Sequence, residues 1–321
     1  MRFLVAGGAG LIGSAMCAAL VGRGYDVVCV DNLLTGSRAN VEELSGDDRF
    51  VFVEADITAG IPVDGPFDVV INLACPASPV DFGPLALEIL SVGSTGLRNL
   101  LEAARGWDAT FLQASTSEVY GEPLVHPQPE SYWGNVNPVG PRSVYDEAKR
   151  FGEALTMAYH RRCGVAVRIA RIFNTYGPRM RPDDGRVISN LVTQALSGKP
   201  LTVYGDGSQT RSFCYVEDEV AGLLALAASD LVGPVNVGND TEFTVLSVAQ
   251  LVLELTGSDS PIVFAARPAD DPTQRRPDLT LARSSLGWSP STPLAQGLAE
   301  TIAWFRRNPF QEPEPAVKVP S

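Results

Sequence analysis

The sequence predicts an α/β fold: a Rossmann-like doubly wound parallel sheet with a smaller C-terminal substrate-binding lobe. Short β-rich runs alternate with helical patterns through the first half of the chain. A glycine-rich turn joins the first run to the first helix. After about Asn174 the texture changes to short segments rich in Gly, Pro, Arg and Asp, with further helices between them. With 321 residues, 45% of them hydrophobic, the chain can bury a large core.

Arg2 to Ala6 reads as the first strand, and a helical pattern runs to about Arg23. Between them the glycines fit two registers, Gly7-Gly10-Gly13 or Gly8-Gly10-Gly13. In either, missing side chains let backbone N–H groups and the helix N-terminus approach a pyrophosphate. The next strand, Asp26 to Val30, ends at Asp31, where a carboxylate can receive the ribose hydroxyls of a dinucleotide. That charge would repel a 2'-phosphate, so NAD is expected rather than NADP. Further strands are expected near Phe50-Glu54, Phe67-Leu73, Thr110-Ala114 and Val165-Ile169, with helices near Leu85-Arg105 and Val144-Arg162. Asp56-Ile57 and Leu73-Ala74 fall at strand C-terminal ends, where such sheets bind ligands.

The segments Asn174-Arg186, Thr202-Arg211 and Arg267-Pro277 read as loops over a cleft. Helices near Val187-Leu196, Val216-Ala228, Val245-Leu255 and Leu294-Arg306 would supply the smaller lobe. The expected division is an NAD-binding unit over 1–173 carrying the catalytic residues and a lobe over 174–307 with some interleaving. A disordered tail, rich in Pro, Glu and Lys, is expected over 308–321.

A formal charge of -12 argues against nucleic acid or an anionic membrane as a partner, because phosphate surfaces demand a basic face. The five cysteines are widely spaced with no C-x-x-C pair, so neither a disulfide framework nor a metal site is expected, and a cytoplasmic setting fits. The apolar Ala9-Val21 run is interrupted by glycines and reads as turn and helix rather than as a signal peptide.

Tyr145 and Lys149 are four apart, on one face of the predicted helix, where the ammonium can bias the phenol toward phenolate. Such a phenol can take a proton from an alcohol. Ser115, Thr116 and Ser117 follow the fifth strand, and their hydroxyls can hydrogen-bond the same alcohol oxygen.

In this order, Gly7-x-x-Gly10-x-x-Gly13, Thr116-Ser117-Glu118 and Tyr145-x-x-x-Lys149 resemble the extended short-chain dehydrogenase/reductases acting on nucleotide sugars. Ala74-Cys75-Pro76-Ala77-Ser78-Pro79, Tyr132-Trp133-Gly134, Tyr145-Asp146-Glu147-Ala148-Lys149-Arg150, Phe173-Asn174-Thr175-Tyr176-Gly177, Gln209-Thr210-Arg211-Ser212-Phe213, Asp271-Pro272 and Arg275-Arg276-Pro277-Asp278 narrow the resemblance to the UDP-glucuronate decarboxylases. It runs from about Met1 to Phe305.

The resemblance implies NAD-dependent oxidation at C4 of UDP-glucuronate, loss of carbon dioxide and return of hydride, giving UDP-xylose. It implies catalytic roles for Thr116, Ser117, Glu118, Tyr145, Lys149 and Arg275. Cofactor contacts are implied for Gly7, Gly10, Leu11, Ile12, Gly13, Asp31, Asn32, Thr35, Gly36, Asp56, Ile57, Leu73, Ala74, Tyr145, Lys149 and Ile172. Substrate contacts are implied for Pro76, Ser78, Glu118, Asn174, Arg186, Val187, Thr202, Tyr204, Arg211 and Arg275, with Thr202 and Tyr204 flanking uracil and Arg211 on the diphosphate. In the related 4,6-dehydratases an Asp stands where this chain has Ser117, so elimination of water lacks its proton donor here. A 4-epimerase, an oxidative decarboxylase that releases the 4-keto pentose, and a non-catalytic NAD-binding regulator are the alternatives. Three residues depart from the family pattern: Asn72 for a His, Phe82 for a Tyr able to reach the carboxylate, and Gly93 for an Asn. A homodimer through a four-helix contact is also expected, as in relatives.

Overall fold

A computed structural model describes residues 1–266 and 274–309; the Asp271-Pro272 pair and residues 310–321 of the expected tail lie outside the described residues. The first half runs β1 (Arg2–Ala6), α1 (Leu11–Gly22), β2 (Asp26–Asp31), β3 (Phe50–Glu54), β4 (Val69–Asn72), α2 (Ala86–Ser91), α3 (Leu97–Trp107), β5 (Thr110–Thr116), α4 (Ser143–Cys163) and β6 (Val167–Ile172). The second half runs β7 (Thr175–Tyr176), α5 (Val187–Leu196), β8 (Leu201–Tyr204), β9 (Thr210–Ser212), β10 (Cys214–Tyr215), α6 (Val216–Ala227), β11 (Val235–Val237), β12 (Glu242–Thr244), α7 (Val245–Thr256), β13 (Ile262–Ala265), β14 (Gln274–Arg275), α8 (Thr280–Leu286) and α9 (Leu294–Arg307).

Seven strands form one parallel sheet in the order β11-β6-β5-β4-β1-β2-β3. Strand order reverses at β1 and β4, and the crevice beyond their C-terminal ends is where a doubly wound sheet takes its ligand. Alternate residues of β1 explain the two layers. Phe3 and Val5 pack with Met16 and Leu20 of α1 and with Leu223 of α6; Leu4 and Ala6 pack with Leu97, Leu100 and Leu101 of α3. A separate core, including Leu191, Val192, Leu201, Val203, Val248, Val252, Leu298 and Ile302, holds the smaller lobe together.

Two differences from the expected elements have physical causes. The helix expected over Leu85-Arg105 is continuous from Ala86 to Trp107 but widens into a π turn, Val92–Gly96, between α2 and α3. Gly93 lies there against α4: a Cβ on it would stand 2.9 Å from the Ala148 Cβ, so glycine lets the two helices touch beside Lys149. The second is the seventh strand, β11, which comes from Val235–Val237 in the later half and pairs with β6. Through it and α6, the later half contributes Val220, Leu223, Val235 and Val237 to the core under the main sheet.

Candidate active site

The glycine turn settles into the Gly7-Gly10-Gly13 register. These three line a cavity of about 750 Å³ above the sheet, whereas a Cβ on Gly8 would collide with the Cys29 sulfur in the core. Gly7 has φ +78 and would bring a Cβ to 2.6 Å from the Ala74 N; a Cβ on Gly13 would collide with the Gly7 carbonyl oxygen. No side chain at either position is compatible with the close turn. Asp31 closes the floor behind it, accepting from the Ala9 N at 2.9 Å and the Leu33 N at 2.8 Å. Burial pushes its carboxyl above the ordinary value, and the two amides oppose that shift. Each oxygen keeps a lone pair for a further donor.

β5 and α4 deliver the groups expected to react. Thr116 ends β5, its Oγ1 accepting from the Glu118 N at 3.2 Å. Tyr145 lies in the first turn of α4, buried, and stacks on Phe82 with ring centroids 5.0 Å apart. Lys149, one helical turn on, donates to the Ala114 carbonyl at 2.9 Å and lies 5.7 Å from the Tyr145 ring centroid. The Tyr145 phenol is buried among these groups. Burial pushes its pKa well up, the Cys75 thiol adds to this, and the Thr116 hydroxyl is the nearest group acting the other way.

Beyond Tyr145 the cavity carries a charged cluster. Arg275, 2% exposed, donates to the Ser117 Oγ at 3.1 Å, to Glu118 Oε1 at 3.2 Å and to the Gly121 carbonyl at 3.0 Å. Arg142 donates to the other Glu118 oxygen at 2.7 Å. Burial alone would raise the Glu118 pKa, but Arg275 and Arg142 outweigh it and hold the carboxyl down to about 2. Ser117 is therefore an acceptor for Arg275, in a position where an acid would have been tied up.

Of the residues expected in the site, Gly7, Gly10, Leu11, Ile12, Gly13, Thr35, Gly36, Leu73, Ser78, Thr116, Ser117, Glu118, Tyr145, Lys149, Ile172, Asn174, Arg186, Val187, Thr202, Tyr204, Arg211 and Arg275 line the cavity. Asp31, Asn32, Asp56, Ile57, Ala74 and Pro76 do not. Asp31 and Ala74 back the turn as described, Asn32 donates to Asp56 at 3.2 Å, and Ile57 packs against Gly96. The family departures also find places: Asn72 accepts from the Ala74 N at 3.2 Å and donates to Gln113 at 3.0 Å, and Phe82 lines the cavity.

Sequence reading missed Arg142, Asp146 and Arg181. Arg142 stands three residues before Tyr145, so the helix that delivers the phenol also delivers it; that offset was the available signal. Asp146, 5% exposed, is pushed up to about 7 by burial and by Glu118. Arg181 clasps Asp81 at 3.0 Å over the cavity rim, and its partner is too far away in sequence to be foreseen.

A family model described as the NAD dependent epimerase/dehydratase family matches residues 3–238. The chain belongs to this family. Among its relatives, UDP-glucuronic acid decarboxylase 1 of Arabidopsis thaliana is 48% identical over 98% of this chain and 72% of its own. The protein of the same description from Xenopus tropicalis is 46% identical over 95% of this chain and 72% of its own. Among solved structures, the UDP-glucuronic acid 4-epimerase from Bacillus cereus, in complex with UDP-glucuronic acid and NAD, aligns with a TM-score of 0.86 at 30% identity. That alignment covers 96% of this chain and 100% of the epimerase. The family's dinucleotide fits the turn described above: Gly7, Gly10 and Gly13 leave a cradle that any Cβ at Gly7 or Gly13 would close, and Asp31 lies behind it.

Proposed function

We propose that this protein is an NAD-dependent carboxy-lyase that converts UDP-glucuronate to UDP-xylose through a 4-keto pentose. The observation that carries the reading is one cavity that joins Tyr145, Lys149 and the Thr116 hydroxyl to a buried arginine, Arg275, with Ser117 where dehydration would need an acid. Relatives 46% to 49% identical that are described as UDP-glucuronic acid decarboxylases support it.

The chemistry needs oxidation first. A C4 ketone lies β to the C5 carboxylate, so the electrons of the breaking bond pass into an enolate instead of a localised carbanion. Bound NAD supplies the acceptor for the C4 hydride, the positive charge that favours the Tyr145 phenolate, and the return of hydride at the end. Tyr145 takes the C4 hydroxyl proton, with Thr116 holding the oxygen and Lys149 anchored on Ala114 below the ring. Arg275 receives the sugar carboxylate and Arg211 the diphosphate. Thr202 and Tyr204 flank the uracil, and Arg186 and Val187 line the nucleotide pocket.

We also read residues 1–173 as the cofactor unit and 174–307 as mainly the sugar-nucleotide unit, acting in the cytoplasm. No described helix is long and apolar enough to cross a membrane. The exposed Leu87 and Leu90 of α2 and Phe151 of α4, on helices that pack together, suit a homodimer through these two helices.

Incubation with UDP-glucuronate tests the reading, with carbon dioxide, NADH absorbance and product NMR followed together. Carbon dioxide without lasting NADH, and UDP-xylose as product, is expected. Carbon dioxide with stoichiometric NADH would make the protein an oxidative decarboxylase; a 4-epimer without carbon dioxide would make it an epimerase.

A further inference from the structure

Arg142 has no part in the reaction as described, yet it completes the grip on Glu118. Its Nη2 donates to Glu118 Oε2 at 2.7 Å while Arg275 Nη1 donates to Oε1 at 3.2 Å, so each arginine holds one carboxylate oxygen. The two differ in their other attachments. Arg275 is tied to Ser117 and Gly121 at the end of β5. Arg142 precedes α4, and its guanidinium lies 5.5 Å from the centroid of the Phe82 ring, which itself stacks on Tyr145. Arg142 thus fixes Glu118 to the wall that carries the phenol, independently of Arg275.

We propose that Arg142 is the positioning residue for protonation at C5: when the substrate carboxylate occupies Arg275, Arg142 keeps Glu118 on one face of the sugar. The inference rests on the decarboxylase reading. Charge counting supports it. Among the described residues, Arg275 and Arg142 both donate to Glu118 without substrate; UDP-glucuronate adds a second carboxylate at Arg275, and Arg142 stays with Glu118. Glu118 in that state has lost part of what holds it at about 2 and gained an anionic neighbour, so it takes up a proton more readily. Among the described residues, Arg211 from β9 and Asp146 from α4 also face it.

The step then balances. The C5–carboxylate bond breaks, its electrons enter the C4 enolate and carbon dioxide leaves uncharged. Glu118 gives its proton to C5, the C5–H bond forms, the enolate returns to the ketone, and the Glu118 anion closes again on both arginines. In the next turnover Glu118 takes a proton from solvent once the substrate carboxylate has engaged Arg275.

Arg142→Met and Arg142→Lys test this by turnover, by KM and by deuterium placement at C5 in D2O. The native protein is expected to place deuterium in one of the two C5 positions. Arg142→Met is expected to place it in both, to lose on the order of 100-fold in kcat with KM changed less than about threefold, and to leak 4-keto pentose. Arg142→Lys should recover single-position labelling. Single-position labelling and native kcat in Arg142→Met would overturn the proposal, as would a loss confined to KM, which would mark Arg142 as a carboxylate-binding group. Unfolding of both variants, read by circular dichroism, would make the role structural and would also overturn it. Absence of carbon dioxide release by the native protein would instead sink the decarboxylase reading itself.

Discussion

At the proposed cofactor end of the cavity, Gly7, Gly10 and Gly13 lie along the turn into α1, and what they provide is the absence of atoms. At the sugar end, Ser117 and Arg275 share a hydrogen bond although they are 158 residues apart, and what they provide is charge and hydrogen atoms. The first end depends chiefly on steric clearance, with Asp31 its one acid described above. The second tolerates small changes in shape but depends on which groups carry protons. The two ends should therefore fail in different ways when altered.

The largest effect is expected where both ends meet. Tyr145→Phe removes only the phenolic hydroxyl, and the ring stacked on Phe82 keeps the wall intact. Turnover should fall by about 10²- to 10⁴-fold, while NAD and UDP-sugar affinities, measured by calorimetry, change little. Retained turnover would remove Tyr145 from the proton-transfer role. Next, Gly13→Ala sets a methyl group against the Gly7 carbonyl, so the turn must open. NAD affinity should drop by on the order of 10-fold or more with UDP affinity preserved, since overpacking of this kind costs about 1–3 kcal/mol. Equal losses at both ligands would break the separation between the two ends.

The same contrast explains what could be read from the sequence. The cofactor end is local, so strand, turn, helix and Asp31 were legible together; only the register was open, and packing of Gly8 against Cys29 decided it. Tyr145 and Lys149 were legible because helical spacing alone brings them together. The Glu118 environment was only half legible. Arg142 reaches it across 24 residues and Arg275 across 157, distances that a topology closes and a spacing rule does not. Lys149 also reaches the Ala114 carbonyl, a partner 35 residues away that helical spacing does not name. The π turn at Val92–Gly96 escaped notice because the helical pattern runs on through it, and β11 because three residues after Pro234 carry too little pattern.

Protonation at the sugar end has a measurable signature in stability. Asp146 is buried and its carboxyl is pushed up to about 7, by burial first and Glu118 second. A raised acid contributes most below its unfolded value, near 3.8, and that contribution is lost as pH rises through about 7. Glu118 has the opposite sign: held at about 2, it contributes above its ordinary value and loses that only in strong acid. Asp146→Asn should thus stabilise the protein relative to the native chain above pH 7, by about 1–4 kcal/mol, and the advantage should shrink toward pH 4. Melting temperatures measured across that range check it; a pH-independent difference would assign the effect to packing.

The smallest effect is expected at Phe82, where the two ends can be compared with one oxygen atom. The ring is 5% exposed, lines the cavity, stacks on Tyr145 and has the Arg142 guanidinium near its face, so a hydroxyl added to it would stand near the cluster proposed to receive the carboxylate. A hydrogen bond to a charged group is worth about 1.5–3 kcal/mol when well formed, and part of that is offset by displaced water. Phe82→Tyr should therefore lower KM for UDP-glucuronate by about 2- to 10-fold and leave NAD affinity unchanged, with kcat altered less than about twofold. A fall in kcat at constant KM would mean that the ring matters as the surface on which Tyr145 and Arg142 rest, and that recognition of the carboxylate is complete with Arg275.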